Sequence, residues 1–232
     1  MSPRNKPSRP ILCYVTDRAG LPRGSGAIPS LLAKVAQAQS AGVDWIQIRE
    51  KDLSSRELAG LVAALMDWAA AQGLAEKGAP PGGILVNDRL DVALTGKAAG
   101  VHLGENSLPV EDVRKLVHTA RSRTDSPFLI GVSCHSLQAA RAAAKAGADY
   151  LIFGPVFATP SKAAYGAPQG LDRLAEVCRA VKVPVLAIGG IERQNATSCL
   201  AAGASGIAAI RLFQDAPDLP SLVRALHALP LR

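Results

Sequence analysis

The sequence predicts a single-domain α/β protein, a (β/α)8 TIM barrel that occupies residues 11–232. The first observation behind this prediction is that short apolar runs, each as long as a buried parallel strand, alternate with longer alanine-rich stretches of helical spacing. The second is that three of the helical stretches end in the same short motif. The third is that 232 residues are enough for one such barrel.

The apolar runs predict the strands, which are Ile11–Thr16, Val43–Ile48, Gly83–Val86, Gly100–Leu103, Phe128–Ser133, Tyr150–Phe153, Pro184–Ile188 and Gly206–Ile210. Helical periodicity predicts helices between them, over Leu31–Ala41, Ser54–Gly73, Val110–Ala120, Leu137–Ala146, Leu171–Val181 and Asn195–Ala202. Parallel strands need a crossover connection, and a helix is the usual one. A doubly wound open sheet is the competing fold, but it commonly has about five or six strands and would leave two units unused.

An internal repeat favours the same architecture. Ala41-Gly42-Val43-Asp44, Ala146-Gly147-Ala148-Asp149 and Ala202-Gly203-Ala204-Ser205 each close a helical stretch just before an apolar run. The glycine supplies the left-handed residue that ends a helix, and the polar residue leads the chain into the next strand.

Composition and charge exclude several classes of protein. With 48% hydrophobic and 19% charged residues, the chain can fill one sizeable core and is not disordered as a whole. An aromatic content of 4% leaves few platforms on which single-stranded nucleic acid could stack. The net charge is +7, but Arg4, Lys6 and Arg9 lie near the N-terminus, so the folded part is only mildly basic. We therefore expect a small anionic ligand and no nucleic-acid partner.

The cysteine pattern and the length of the apolar runs predict a cytoplasmic protein. The four cysteines, Cys13, Cys134, Cys178 and Cys199, are scattered without a C-x-x-C pair, which is typical of a reduced, intracellular chain. No apolar run approaches the roughly 18 residues of a membrane span, so we expect no membrane partner. Residues 1–10 are basic and proline-rich without a following apolar segment, and they are predicted to form a flexible tail. Whether the protein forms a homo-oligomer stays open.

In a barrel of this kind the active site lies where the strands run into the following loops, so the residues after each apolar run are the candidates. At the end of the second run, Gln47, Arg49 and Lys51 share one face, whereas Ile48 faces the helices. Two cations and an amide donor make a poor apolar core and a good clamp for an anion.

The ends of the third and fifth apolar runs carry polar residues that can each be interpreted in two ways. Asn87 and Asp88 follow the third run, where they either cap the next helix or, in the case of Asp88, hold Mg²⁺ for a phosphate. His135 follows the fifth run and is either a general acid or base or merely a neighbour of the capping residues Ser133 and Ser136.

The last three strand ends predict phosphate binding. The sixth run leads into a long loop in which Thr159, Ser161 and Lys162 offer hydroxyls and a cation. Gly190 and Arg211 follow the seventh and eighth runs, where this fold recurrently binds phosphate. Composition and spacing thus predict a barrel that binds phosphorylated ligands at two places, without giving the reaction.

These strand ends also resemble the thiamine phosphate synthase family, in order, from about Ile11 to Phe213. The motifs that carry the resemblance are Tyr14-Val15-Thr16-Asp17-Arg18, Gln47-Ile48-Arg49-Glu50-Lys51, Asn87-Asp88-Arg89-Leu90-Asp91-Val92-Ala93, Gly100-Val101-His102-Leu103-Gly104, Gly131-Val132-Ser133 with His135, Phe153-Gly154-Pro155-Val156-Phe157, Thr159 to Lys162, and Ile188-Gly189-Gly190-Ile191. The resemblance implies a transferase that joins 4-amino-2-methyl-5-hydroxymethylpyrimidine diphosphate to a thiazole phosphate. The products would be thiamine phosphate and diphosphate.

The resemblance also implies roles for individual residues. The pyrimidine diphosphate would be bound by Gln47, Ile48, Arg49, Glu50, Lys51, Asn87, Ser133, Cys134 and Lys162. The thiazole phosphate would be bound by Thr159, Pro160, Ser161, Gly190, Ile210 and Arg211. Mg²⁺ would be held at Asp88 and at the position of Ser107, and the catalytic groups would be Arg49, Lys51, Lys162 and His135.

Two positions depart from the family pattern. Ser107 stands where the family usually has its second metal-binding aspartate, so Asp88 would hold Mg²⁺ with substrate phosphates or with Glu105. Arg211 replaces a small serine beside the thiazole phosphate, where its guanidinium can grip a phosphate but occupies more space.

Two alternatives to the synthase stay open at this point. A thiazole tautomerase on the same fold would use His135 as its acid/base residue, but it has no need for the whole clamp formed by Gln47, Arg49, Lys51 and the residues around Asp88. A non-catalytic protein that binds thiazole phosphate or thiamine phosphate is the third interpretation, and the departures at Ser107 and Arg211 are what keep it open.

Overall fold

The computed structural model describes residues 7–22, 26–72, 83–120, 127–159 and 167–231. Eight parallel strands form a closed barrel in sequence order, and β8 pairs with β1 to close it. The strands are β1 (Ile11–Val15), β2 (Trp45–Ile48), β3 (Gly83–Asn87), β4 (Gly100–Leu103), β5 (Leu129–Cys134), β6 (Tyr150–Phe153), β7 (Val185–Ile188) and β8 (Gly206–Ala209). The predicted (β/α)8 barrel is therefore confirmed: β4 and β6 have the predicted bounds, and the other six strands differ from them by one or two residues.

Helices follow the strands around the outside. They are α1 (Ala27–Ser40), α2 (Ser55–Ala71), α3 (Leu90–Thr95), α4 (Val110–Ala120), α5 (Leu137–Lys145), α6 (Gly170–Ala180), α7 (Ala196–Ala201), α8 (Arg211–Gln214) and α9 (Leu219–His227). The start of α2 is fixed by a capping box, in which Ser54 and Glu57 each bond to the other's backbone N–H. Periodicity predicted α1, α2, α4, α5, α6 and α7, whereas α3, α8 and α9 were not predicted. In the part of the chain that the structure describes, no helix is long and apolar enough to cross a membrane.

The strands alternate between two cores. Inside the barrel lie Cys13, Val15, Leu85, Tyr150, Ile152, Leu186 and Ala208. The intervening residues, such as Leu12, Ile46 and Leu151, pack in a second core that includes apolar residues of the surrounding helices. Because side chains alternate along a strand, every second residue near a strand's carboxyl end faces the barrel mouth.

The repeated motif before the strands has a clear structural reason. Asp44 accepts a hydrogen bond from Leu12 N at 2.9 Å, and Asp149 accepts one from Ile130 N at 2.7 Å. Each aspartate thus fixes the start of the neighbouring strand at the amino-terminal face of the barrel. Asp44 also binds Arg9 and His227, at 2.7 and 2.9 Å.

The predicted tail over residues 1–10 is described only from residue 7 onward. Pro10 is buried, and Arg9 is held by its ion pair with Asp44. The last two residues of the predicted tail therefore contact the barrel, and for the preceding residues the flexible tail stays a prediction.

Candidate functional site

The end of β2 supplies the first part of the site. Gln47 lies on the inner face, where its Nε2 donates to Asn87 Oδ1 at 2.9 Å. Arg49 follows two residues later and is partly buried, whereas Lys51 is exposed on the rim. Ile48 lies between them in the core that faces the helices, as predicted. The amide pair and the two cations therefore belong to one side of the barrel mouth.

Glu50 differs from its neighbours because protein donors occupy its buried carboxylate. Thr16 donates its hydroxyl to Glu50 Oε1 at 2.6 Å, and Arg18 donates from Nη1 to Oε2 at 3.0 Å. The Thr16 hydroxyl oxygen in turn accepts a hydrogen bond from Arg49 N at 3.0 Å. These bonds hold the Glu50 carboxylate from within the protein and link it, through Thr16, to the backbone of Arg49. The substrate contact that the resemblance implies for Glu50 stays a prediction.

Asp88 and Ser107 meet at the rim next to this clamp. Ser107 Oγ donates to Asp88 Oδ1 and accepts a hydrogen bond from Gly104 N, the latter at 2.7 Å. Asp88 is exposed and has a φ of +66°, and its backbone N–H donates to His102 O at 2.8 Å. The two predicted metal positions are therefore in direct contact. Among the residues that the structure describes, no group of three or more His, Cys, Asp or Glu could hold a metal ion alone.

A buried histidine lies beneath this rim, and the sequence did not single it out. His102 Nε2 lies 2.8 Å from Ser133 Oγ, and its Nδ1 lies 3.0 Å from Tyr150 Oη. Complete burial, helped by the charge of nearby Arg49, lowers the pKa of His102 to about 3. The alternation of side chains along β4 could have identified His102 from the sequence. Val101 and Leu103 face the helices, so Gly100 and His102 are the positions that face the barrel interior.

The end of β5 places its two predicted residues on opposite sides of the barrel wall. Ser133 is partly exposed on the inner side, and its hydroxyl contacts His102. The Cys134 side chain is fully buried in the core that faces the helices, and burial raises the pKa of its thiol to about 12. The Cys134 thiol is therefore turned away from the mouth, and the predicted contact between Cys134 and substrate stays a prediction.

His135 stands at the rim with a defined orientation. Its Nδ1 contacts the carbonyl oxygen of Gly154, and its Nε2 lies 4.0 Å from Glu105 Oε1. Because a carbonyl oxygen only accepts hydrogen bonds, Nδ1 carries the proton, which leaves a lone pair on Nε2 when the ring is neutral. His135 thus presents a proton acceptor close to a carboxylate.

The loops after β6 and β7 are joined by backbone hydrogen bonds. Phe157 N donates to Gly189 O at 3.0 Å, and a Cβ at Gly190 would lie 2.5 Å from Ala158 O. The second glycine also has a φ of +61°, so both space and backbone conformation favour glycine there. This packing brings Gly190 to the segment that leads into Thr159.

The remaining predicted residues divide between described and undescribed positions. Ile210 packs against the inner core, and Arg211 is exposed at the start of α8. Pro160, Ser161 and Lys162 lie outside the described residues. The structure therefore joins Gln47 to Asn87 and Asp88 to Ser107 by direct contact, and it places Gly190 against the loop after β6.

Comparisons with known proteins agree with this arrangement. Residues 22–213 match the family model described as thiamine monophosphate synthase. A thiamine-phosphate synthase of a Roseiflexus species is 39% identical over 219 residues, which cover 94% of this chain and 84% of that protein. The thiamine-phosphate synthase of Roseiflexus castenholzii is 40% identical over 218 residues, with coverage of 94% and 87%.

A solved structure shows the same relationship. Thiamine phosphate pyrophosphorylase from Pyrococcus furiosus superposes with a TM-score of 0.75 at 32% sequence identity, covering 94% of this chain and 95% of that one. Since the family model and these relatives span most of the molecule, the chain belongs to the thiamine monophosphate synthase family.

Proposed function

We propose that this protein is a transferase that condenses 4-amino-2-methyl-5-hydroxymethylpyrimidine diphosphate with thiazole phosphate to give thiamine phosphate and diphosphate. The observation that carries the proposal is the clamp on one side of the mouth. There the Gln47–Asn87 amide pair lies beside Arg49, in a chain whose relatives are thiamine-phosphate synthases. Amides suit the donors and acceptors of a pyrimidine edge, and cations suit a diphosphate.

The chemistry requires stabilisation of a leaving group more than a protein nucleophile. The carbon–oxygen bond to diphosphate breaks and its electron pair leaves with the diphosphate, while the thiazole nitrogen lone pair forms the new carbon–nitrogen bond. Fixed cations at the point where negative charge grows lower the barrier of such a step. We assign this role to Arg49, Lys51 and Lys162. The positioning of the two substrates supplies the rest.

The residues at the rim fit a magnesium ion that is shared with substrate. Mg²⁺ is commonly held by one or two carboxylates together with waters and substrate phosphates. Asp88 offers an exposed carboxylate with the Ser107 hydroxyl beside it. When bound, the ion neutralises charge on the diphosphate. We therefore assign Asp88 as the protein's anionic ligand and Ser107 as its neutral neighbour.

The thiazole phosphate is assigned to the opposite side of the mouth. Gly190 brings its backbone close to the loop after β6, and Arg211 is an exposed cation after β8. Loops after the seventh and eighth strands form the recurrent phosphate site of this fold. Thr159, Pro160, Ser161 and Ile210 complete the proposed set.

A thiazole tautomerase is the second candidate, and the geometry of His135 favours it. The Nε2 lone pair is available to move a proton because Nδ1 is turned to Gly154 O. A tautomerase would not need the clamp of Gln47, Asn87 and Arg49, because it binds no pyrimidine diphosphate. We therefore rank the transferase first.

The deciding experiment supplies both substrates and Mg²⁺ and measures diphosphate and thiamine phosphate together. We expect equal amounts of the two products, and no diphosphate when thiazole phosphate is left out. A parallel reaction contains the thiazole tautomer alone and monitors its isomerisation. Isomerisation without diphosphate release in the full mixture would refute the transferase and support the tautomerase. Ligand binding without turnover in either reaction would support a non-catalytic binding protein.

A further inference from the structure

The interior of the barrel contains a chain of three polar side chains that ends at the mouth. Tyr150 Oη lies 3.0 Å from His102 Nδ1, and His102 Nε2 lies 2.8 Å from Ser133 Oγ. Tyr150 and His102 are buried, at 0% and 1% exposure, whereas Ser133 is partly exposed. The chain thus connects the sealed interior to the site.

The position of Tyr150 is fixed by packing. Its ring lies against Gly131, where a Cβ would come within 2.0 Å of the Tyr150 Cζ. The ring also packs against the Trp45 ring at a centroid distance of 4.6 Å. The tyrosine hydroxyl therefore has a defined place, and within the described part of the chain its hydrogen-bond partner is His102 Nδ1.

This arrangement fixes the direction of the hydrogen bonds. A buried hydroxyl hydrogen needs an acceptor, so Tyr150 donates to Nδ1 of His102. A neutral imidazole whose Nδ1 accepts carries its proton on Nε2, which then donates to Ser133 Oγ. Since the oxygen of Ser133 accepts this bond, its own hydrogen is free to point into the mouth.

We propose that His102 is a positioning residue that makes the Ser133 hydroxyl a hydrogen-bond donor to an acceptor atom of the pyrimidine diphosphate. The inference rests on the proposed function for the identity of that substrate. The direction of the hydrogen bonds follows from Tyr150, His102 and Ser133 and does not depend on the substrate. Failure of the two proposals can therefore be distinguished.

The direction of these hydrogen bonds is tested without substrate. Nitrogen-15 NMR of histidine-labelled protein at pH 7 reports which ring nitrogen of each neutral histidine carries the proton. The four histidines are assigned from spectra of single variants. We expect the His102 proton on Nε2. A proton on Nδ1 would overturn the proposal, because Ser133 would then donate to the ring and have no hydrogen left for substrate.

The effect on substrate is tested with two variants of matched chemistry. In His102→Gln, the side-chain amide reaches to the place of Nε2 and retains a donor to Ser133, whereas the shorter amide of His102→Asn does not. We expect His102→Asn to raise the KM for pyrimidine diphosphate about three- to tenfold, the range of one lost hydrogen bond, with a smaller rise in His102→Gln. The KM for thiazole phosphate is expected to stay unchanged in both.

A double-variant comparison separates positioning from general damage to the barrel. In a Ser133→Ala background, His102→Asn should cause no further rise in that KM, because the hydroxyl it orients is gone. Additive effects, or equal changes in the KM of both substrates, would overturn the proposal. If His102→Asn does not fold, the comparison uses Tyr150→Phe, which removes the donor to Nδ1 and is expected to raise the same KM. Should the protein lack synthase activity, the same variants are compared by calorimetric binding of the pyrimidine diphosphate.

Discussion

Replacement of Glu50 by glutamine separates a supporting role from a substrate contact. In the structure the Glu50 carboxylate accepts from Thr16 Oγ at 2.6 Å, from Arg18 Nη1 at 3.0 Å and from Arg18 N at 3.2 Å. The amide of Glu50→Gln keeps the shape and one acceptor oxygen, but it loses the charge and turns donor hydrogens toward existing donors.

The expected magnitude follows from these bonds. A hydrogen bond to a charged group contributes about 1.5–3 kcal/mol, and the variant loses one such bond while weakening the others. We expect the free energy of unfolding to fall by about 2–3 kcal/mol, measured by urea denaturation. This corresponds to a fall in Tm of roughly 4–12 °C for a chain of this size.

The matched control uses the other carboxylate that binds the same cation. Arg18 pairs with both Glu50 and Asp52, whose side chains are 2% and 73% exposed. Because exposed ion pairs contribute little, Asp52→Asn should leave the urea midpoint almost unchanged. If the two variants destabilised the protein equally, our assignment of Glu50 as a buried support would be wrong. A large rise in KM without loss of stability would instead restore the substrate contact implied by the resemblance.

Three further predictions concern the site directly. Lys162→Ala should lower turnover roughly 10²-fold in the diphosphate-release assay, because its charge is assigned to the leaving group, and unchanged turnover would remove Lys162 from the site. Ser107→Asp adds a second carboxylate beside Asp88 and should tighten Mg²⁺ binding on the order of tenfold, measured calorimetrically in the presence of inorganic diphosphate; unchanged affinity would exclude this position as a ligand. Arg211→Ser should raise the KM for thiazole phosphate about tenfold and leave that for pyrimidine diphosphate unaltered, whereas equal changes would place Arg211 elsewhere.

Much of the fold could be predicted because strand and helix follow from local pattern. Apolar runs of strand length, such as Tyr150–Phe153, coincide with strands of the barrel. The glycine of the repeated motif has a positive φ at Gly42, Gly147 and Gly203, as a helix end requires. The helix α8 has 4 residues, too few for a helical period to be visible in the sequence. Length alone does not explain α3, because α3 and α7 both have 6 residues and α7 was predicted.

The direction in which a site residue points could be predicted where the alternation along a single strand determines it, but its contacts with residues from other strands could not. The alternation in β2 correctly separated Gln47, on the inner face, from Ile48 in the core that faces the helices. The contacts of the Glu50 carboxylate could not be predicted because its partners, Thr16 and Arg18, come from the loop after β1. His102 was missed for the same reason, since Tyr150 lies 48 residues away and meets it only when the barrel closes.

At the proposed metal position the Ser107 hydroxyl donates to the Asp88 carboxylate. A carboxylate oxygen has two lone pairs, so an ion can bind Asp88 beside this hydrogen bond, while the serine offers a neutral oxygen in place of a second negative charge. The backbone of Asp88 cannot move away easily, since Asp88 N is held by His102 O at 2.8 Å. In the proposed site Asp88 supplies one negative charge at this position, so we expect much of the attraction for Mg²⁺ to come from the diphosphate of the substrate. Metal and substrate are thus expected to bind together, so that the ion is held tightly only while the leaving group is present.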